Sequence, residues 1–310
     1  MKKIIKILTL LFVFISVDAL SQQNELQNFS IKDGLPSLII NDISQDNIGY
    51  LWLATDKGLV QFNGINFTQF ATNKTAKANT VFIKNNLFLI GFENGLFLNK
   101  NGIFTFLGKE KVLKIIAIND EVILATSQGV YQLKNNNLQP LQINTQIDFA
   151  IINDIILHKN TIYIASNKGL WLLDKLHKPT KINKITDNNI VSLLAVKNNL
   201  VAATFKNGLK IIQQNKVIKT IFTEKNITSI KNINDELWVS SNGNGITIYN
   251  AKNYSFKRQI NKYNTSISNE IKTVFKDSQN TYWIASSSKG LYKYNSDDTE
   301  KGVTKPNVYI

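Results

Sequence analysis

The chain has no cysteine, so it can build neither a disulfide framework nor a thiolate metal site. Arginine is almost as scarce, with Arg258 alone against a background of lysine. One guanidinium cannot supply the forks that nucleic-acid readers use, nor the arginine triad with which sialidases hold a carboxylate. The two histidines, His158 and His177, stand without a carboxylate at ligand spacing and read as surface residues. No cofactor is expected, because there is no Gly-rich phosphate loop, no Gly-x-Ser-x-Gly elbow and no kinase signature. Four prolines in 310 residues leave little room for disordered linkers. Beyond residue 21 no apolar run approaches the ~20 residues of a spanning helix.

Acidic residues are also in deficit, 22 against 36 basic ones, for a net charge of +14. The lysines are scattered singly rather than in runs. That pattern suits a solvated surface, with an acidic partner as the alternative, and it does not suit nucleic acid.

Residues 1–21 read as a secretory leader. Lys2, Lys3 and Lys6 form its basic end, Ile7 to Val17 its apolar core and Ala19-Leu20-Ser21 its cleavage site. An exported, periplasmic or secreted protein is expected, with cleavage near Ser21-Gln22. The membrane would then be met only through the leader or through segments downstream.

What the chain does have is a repeat. Tyr50-Leu51-Trp52-Leu53-Ala54-Thr55-Asp56-Lys57-Gly58-Leu59-Val60 recurs in variant form around Gly95, Gly129, Gly169, Gly208, Gly245 and Gly290, at spacings of 34 to 45 residues. Each copy reads as strand, tight turn and strand, with the glycine at the φ > 0 position. Four short strands, a to d, fit each period, and no copy shows the three-and-four spacing of a helix. The pattern predicts an all-β, seven-bladed β-propeller over residues 22–302. In the first copy a spans 38–44, b 50–55, c 59–63 and d 66–70. Turns such as Asn63-Gly64, Asn85-Asn86, Asn101-Gly102 and Asn135-Asn136 place Asn where left-handed backbone is needed.

The last copy has strands a to c (270–276, 281–286 and 291–294) but no fourth. The segment Leu26 to Ile31 is a strand without a blade. Pairing it beside residues 290–294 closes the ring and covers an exposed edge. Residues 303–310 are then left over as a β-like segment, and the chain is expected to be part of a longer protein.

Phe29-Ser30-Ile31-Lys32-Asp33-Gly34-Leu35-Pro36-Ser37, followed by Asp46-Asn47-Ile48-Gly49-Tyr50-Leu51-Trp52 and Lys57-Gly58-Leu59, resembles the two-component regulator propeller repeat. Asp277-Ser278-Gln279-Asn280-Thr281-Tyr282-Trp283 repeats the motif with Asn in place of Gly. The middle copies keep only the small residue and the Gly-apolar pair. The resemblance implies the extracellular sensor region of a Bacteroidetes signalling protein, responding to an oligosaccharide. A β-sandwich, a membrane helix and a kinase or regulator would follow, and residues 306–310 are similar to the opening of that sandwich. It also admits a homodimer through the propeller or through the following domain.

In a propeller the b-to-c turns and the d-to-a connections share the face around the channel mouth. The candidate ligand-binding residues are therefore the polar turn residues before each glycine: Asp56, Lys57, Phe92, Glu93, Asn94, Gln128, Lys168, Phe205, Lys206, Asn242 and Lys289. Lys57, Lys168, Lys206 and Lys289 would gather charge for an acidic oligosaccharide, with Phe92 and Phe205 against its apolar faces. The competing reading leaves the lysines in solvent and the rings packed on neighbouring blades. No catalytic residue is evident. A propeller lyase or glycosidase is the rival, with Asp56 and Glu93 as its carboxylates, and a protein-binding propeller is the third reading. Trp52, Trp238 and Trp283 open equivalent b strands and are expected in the core, as is Trp171.

Overall fold

The computed structural model describes residues 26–70, 76–118, 121–141, 151–173, 179–182, 185, 189–221 and 226–295. The expected leader, residues 303–310 and His177 lie outside these.

Seven four-stranded antiparallel sheets follow one another around a ring. The strand β1 (Gln27–Phe29) precedes the first blade, β2 (Ile40–Gln45), β3 (Leu51–Thr55), β4 (Gly58–Phe62) and β5 (Phe67–Phe70). The second blade is β6 (Ala78–Lys84), β7 (Leu87–Phe92), β8 (Gly95–Lys100) and β9 (Ile103–Gly108). The third is β10 (Val112–Ile118), β11 (Glu121–Thr126), β12 (Gly129–Lys134) and β13 (Asn137–Pro140). The fourth is β14 (Ile152–His158), β15 (Thr161–Ser166), β16 (Gly169–Leu173) and β17 (Pro179–Lys181). The fifth is β18 (Ile190–Val196), β19 (Asn199–Thr204), β20 (Leu209–Gln213) and β21 (Lys216–Ile221). The sixth is β22 (Ile227–Ile233), β23 (Glu236–Ser241), β24 (Gly245–Asn250) and β25 (Phe256–Ile260). The seventh is β26 (Ile271–Lys276), β27 (Tyr282–Ser286) and β28 (Leu291–Tyr294). Its fourth strand is β1, antiparallel to β28 with Gln27 opposite Lys293 and Phe29 opposite Leu291. The ring therefore closes as the sequence predicts, but with a strand shorter than the expected Leu26 to Ile31: Ser30 caps a 3-10 turn over Ile31–Asp33, which takes the chain out of the sheet. Among the described residues no helix is long and apolar enough to cross a membrane.

The core lies between blades rather than within one. One cluster joins Trp52, Ala54 and Leu59 of the first blade to Val81, Ile90 and Phe97 of the second. Another joins Phe29, Trp283 and Leu291 of the seventh to Ile43, Leu53 and Phe62 of the first. Each b strand is thus covered on both faces, and β3 is buried along its whole length. This is why Leu51 to Ala54 reads as an unbroken apolar run rather than an alternation.

The polar residues of the repeat hold its turns. In every blade but the second, b ends in a buried or nearly buried Ser or Thr whose hydroxyl accepts a turn N–H, as Thr55 does from Lys57 at 3.2 Å. Most also donate to the carbonyl of the aligned glycine, Thr55 to Gly58 at 2.8 Å. All seven glycines have positive φ, from 72° at Gly208 to 147° at Gly95. At Gly290 a Cβ would run into the carbonyl oxygen of Phe29, so glycine is also what lets the closing strand approach. Asp46 accepts from the N–H groups of Ile48, Gly49 and Tyr50 with Oδ1 (2.9 to 3.0 Å) and from Trp52 Nε1 with Oδ2 (2.8 Å). Asp277 repeats the arrangement with Trp283.

Trp52, Trp238 and Trp283 are buried as expected, whereas Trp171 is only half-buried, with Nε1 on Ser166 Oγ at 3.2 Å. His158 corrects the surface reading. It is buried against Tyr163, with Nε2 3.4 Å from the Asn198 carbonyl.

Candidate ligand-binding site

Seven equivalent hydrogen bonds fix which residues surround the channel mouth. The first residue of each b-to-c turn donates its N–H to the residue just before an inner strand. The pairs are Asp56 to Ile39 (3.4 Å), Glu93 to Lys77 (2.9 Å), Ser127 to Lys111 (3.0 Å), Asn167 to Ile151 (3.0 Å), Phe205 to Asn189 (2.9 Å), Asn242 to Asn226 (2.8 Å) and Ser287 to Glu270 (2.9 Å). The turns and the d-to-a connections therefore do share one face.

Below that rim every inner strand carries a bulge near its start: Ile40/Asp42, Ala78/Thr80, Val112/Lys114, Ile152/Asp154, Ile190/Ser192, Ile227/Ser229 and Ile271/Thr273. A bulge puts two residues opposite one and breaks strict alternation. Consecutive side chains such as Asn41 and Asp42, Asn153 and Asp154, or Lys272 and Thr273 accordingly line the same central cavity, of about 660 Å³.

Two of the polar positions are structural. At the first, Asn41, Asn79, Asn153 and Thr228 each donate across a blade boundary to the carbonyl of Ala78, Val112, Ile190 and Ile271, at 2.7 to 3.0 Å. At the second, Asp42 Oδ2 accepts from Thr80 Oγ1 (2.7 Å) and Val81 N (3.3 Å), and Asp154 Oδ2 from Ser192 Oγ (3.1 Å) and Leu193 N (2.8 Å). These carboxylates bind one blade to the next.

Lysines dominate the remaining charge. Lys77, Lys111, Lys114, Lys231 and Lys272 line the cavity, against Asp42, Glu93 and Asp154. Glu93 pairs with Lys111 at 2.7 Å and lies 3.9 Å from Lys77. Asp42, and secondarily Asp154, raises the pKa of Lys114 against the effect of burial. Lys231 is lowered by the like charge of Lys114 and by burial, and Lys272 by burial and by Lys77. Lys114 and Lys231 thus act on each other, while Lys272 is coupled to Lys77 and Asp42. No three His, Asp or Glu side chains among the described residues are placed to hold a metal ion.

Of the residues predicted from the turns, Glu93 and Phe205 line this cavity. Phe205 is 39% exposed. Asp56 stands on the same rim, where its carboxylate is bound by the Ser37 hydroxyl. Asn242, on the rim as well, bridges to Glu270. Lys57, Asn94, Gln128, Lys168, Lys206 and Lys289 are exposed one or more residues further along their turns and are not part of the cavity wall. Phe92 is a correction. It ends β7 where the other blades carry the Ser or Thr, is 1% exposed and packs edge-on against Phe97, 5.4 Å between centroids. Its ring belongs to the core between the first two blades and cannot meet a ligand.

Residues 34–57, the approach to β2 and the whole first hairpin, match the family model described as two component regulator propeller. The first blade carries that repeat. Among solved structures, the extracellular domain of BT3049 from B. thetaiotaomicron, assigned as a hybrid two-component system, is 20% identical with a TM-score of 0.76. The match covers 88% of this chain and 42% of that one. The extracellular domain of BT4673, from the same organism and so assigned, is 19% identical with a TM-score of 0.71, over 88% of this chain and 40% of that one. The chain therefore spans about two-fifths of the length of these domains. A streptogramin B lyase structure shares the fold at 13% identity and a TM-score of 0.67, over 87% and 96% of the two chains. A search among curated proteins matched none.

Reading the two-component repeat by its turns located the rim but missed the wall. Asp42, Lys114, Asp154, Lys231 and Lys272 all lie on a strands, where a charge in an apolar strand was the available signal. The bulge that turns them inward leaves no mark in the local sequence.

Proposed function

We propose that this chain is the exported, ligand-sensing propeller of a two-component signalling system, and that it takes up a small saccharide at the mouth of the central channel without transforming it. The observation that carries the reading is the two-component regulator propeller repeat in the first blade. The structural likeness to extracellular domains of such systems agrees with it. The cavity supports a binding role. Its volume falls within the ~300 to 1,000 Å³ usual for small-molecule sites, and half-exposed Phe205 offers a face for sugar C–H groups. Its carboxylates are already engaged, Asp42 and Asp154 in blade joints and Glu93 with Lys111, which leaves no free acid and base pair for bond cleavage.

The test is a panel of neutral and acidic oligosaccharides, followed by thermal shift and by product analysis of the same samples. A raised melting temperature with unchanged sugar supports the sensor. Turnover that disappears in Asp42→Asn or Glu93→Gln overturns it in favour of a propeller enzyme.

A further inference from the structure

At three inner-strand positions where other blades carry hydrogen-bonding or apolar residues the chain has a lysine, and all three line the central cavity. Where the first and fourth blades use Asp42 and Asp154 to accept hydrogen bonds from the next blade, the third has Lys114. Where Asn41, Asn79, Asn153 and Thr228 donate to the next blade's carbonyl, the seventh has Lys272. Two residues beyond the second position, Phe82, Ile116, Ile156, Leu194 and Phe275 are apolar and the first blade has Ser44, yet the sixth blade has Lys231. At each point a joint or an apolar contact has been given up for an ammonium group. None of the three makes an ion pair or hydrogen bond with another described residue, whereas Glu93 is held by Lys111 and Lys77 at the rim.

Asp42 and Asp154 compensate Lys114, but Lys231 is held below the ordinary lysine value by Lys114 and burial, and Lys272 by burial and Lys77, so an arriving counter-charge would favour their charged forms. The same cavity is also lined by apolar Ile116, Ile156, Leu194 and Phe205. We infer that Lys114, Lys231 and Lys272 form an anion-binding site in the propeller channel, and that its ligand is an acidic sugar of one or two residues. Its carboxylate would sit among the three ammonium groups and its C–H faces against those apolar side chains. This rests on the sensing function proposed above and names the ligand class.

The experiment is titration calorimetry of the chain with digalacturonic acid, the neutral digalactose of the same size and inorganic phosphate, each at low and physiological salt. Digalacturonic acid is expected to bind, about tenfold or more tightly than digalactose, with affinity falling as salt rises. Lys231→Met and Lys272→Met should each weaken it about tenfold without lowering the melting temperature, since each removes a charge that lacks a partner.

Equal or tighter binding of digalactose, indifference to both Lys→Met changes, or no heat from digalacturonic acid up to millimolar concentration would overturn the inference. Phosphate binding without digalacturonic acid binding would overturn the sugar and leave an inorganic-anion site. A neutral saccharide from the wider panel that binds and is lost in Phe205→Ala would reject the anionic ligand while leaving the sensor intact. Turnover would reject the sensor itself.

Discussion

Phe29 lies opposite Leu291 in the antiparallel pair that closes the ring, and its ring packs on Phe62 and Phe67 of the first blade at 5.0 and 5.8 Å. One short strand therefore completes the seventh blade and seals the joint to the first. Deleting residues 22–32 removes a buried aromatic, worth about 2 to 3 kcal/mol, and uncovers the edge of β28. A fall in melting temperature of at least about 5 °C is expected by differential scanning calorimetry. An unchanged transition would show that closure does not depend on this strand.

Asp46 satisfies three backbone donors and the Trp52 indole with one carboxylate, and Asp277 satisfies two backbone donors and the Trp283 indole in the seventh blade. Asp46→Ala and Asp277→Ala should each cost about 2 kcal/mol in urea unfolding, and the double variant should depart from additivity, because the Gln45 amide bridges the two turns, donating to the Gly49 carbonyl and accepting from Ser278 N–H. A loss under about 0.5 kcal/mol would mean that water replaces the carboxylate at little cost.

The turn lysines stand outside the cavity wall. The fourfold variant Lys57→Gln, Lys168→Gln, Lys206→Gln, Lys289→Gln should bind any channel ligand within about twofold of wild type at physiological salt, where rim charges are screened. A tenfold loss would return the recognition of charge to the turns.

Glu236 is 12% exposed at its side chain and receives both Arg258 terminal nitrogens, at 2.8 and 2.9 Å, with Lys257 at 2.5 Å. Burial alone would raise its pKa, but these bonds overcome it and hold the folded-state pKa below the ordinary glutamate value. A depressed folded pKa contributes stability above the unfolded pKa that is lost as pH falls through the folded one. Glu236→Gln should therefore destabilise the protein near neutrality by about 2 kcal/mol, with the difference from wild type narrowing in acid. Urea midpoints measured from neutral pH down to the acid limit of folding check this. A difference independent of pH would rule out the ionised network as its source.

Fold and rim were legible because both rest on local rules. The seven glycines are needed by their own turns, the Asn residues by left-handed backbone, and Asp46 by N–H groups within four residues of it. Leu26 to Ile31 could be assigned to the seventh blade because a ring with an open edge is unfavourable. Phe92 was misread for a related reason. Its place at the edge of a turn suggested exposure, and only the neighbouring blade shows that the ring fills an inter-blade core.

The sequence by itself determined a seven-fold array of four-stranded units, the turn chemistry of each and the strand that closes it, because those depend on backbone conformation and short-range hydrogen bonds. Only the tertiary structure decided where charge gathers. Lys114, Lys231 and Lys272 are separated by 117 and 41 residues along the chain and become neighbours because a closed ring brings every inner strand to one axis, where the bulges expose the polar positions. The repulsion between Lys114 and Lys231, that between Lys77 and Lys272, and the burial of all three inner lysines belong to that axis and to no local stretch, so the candidate site exists only once the ring is closed.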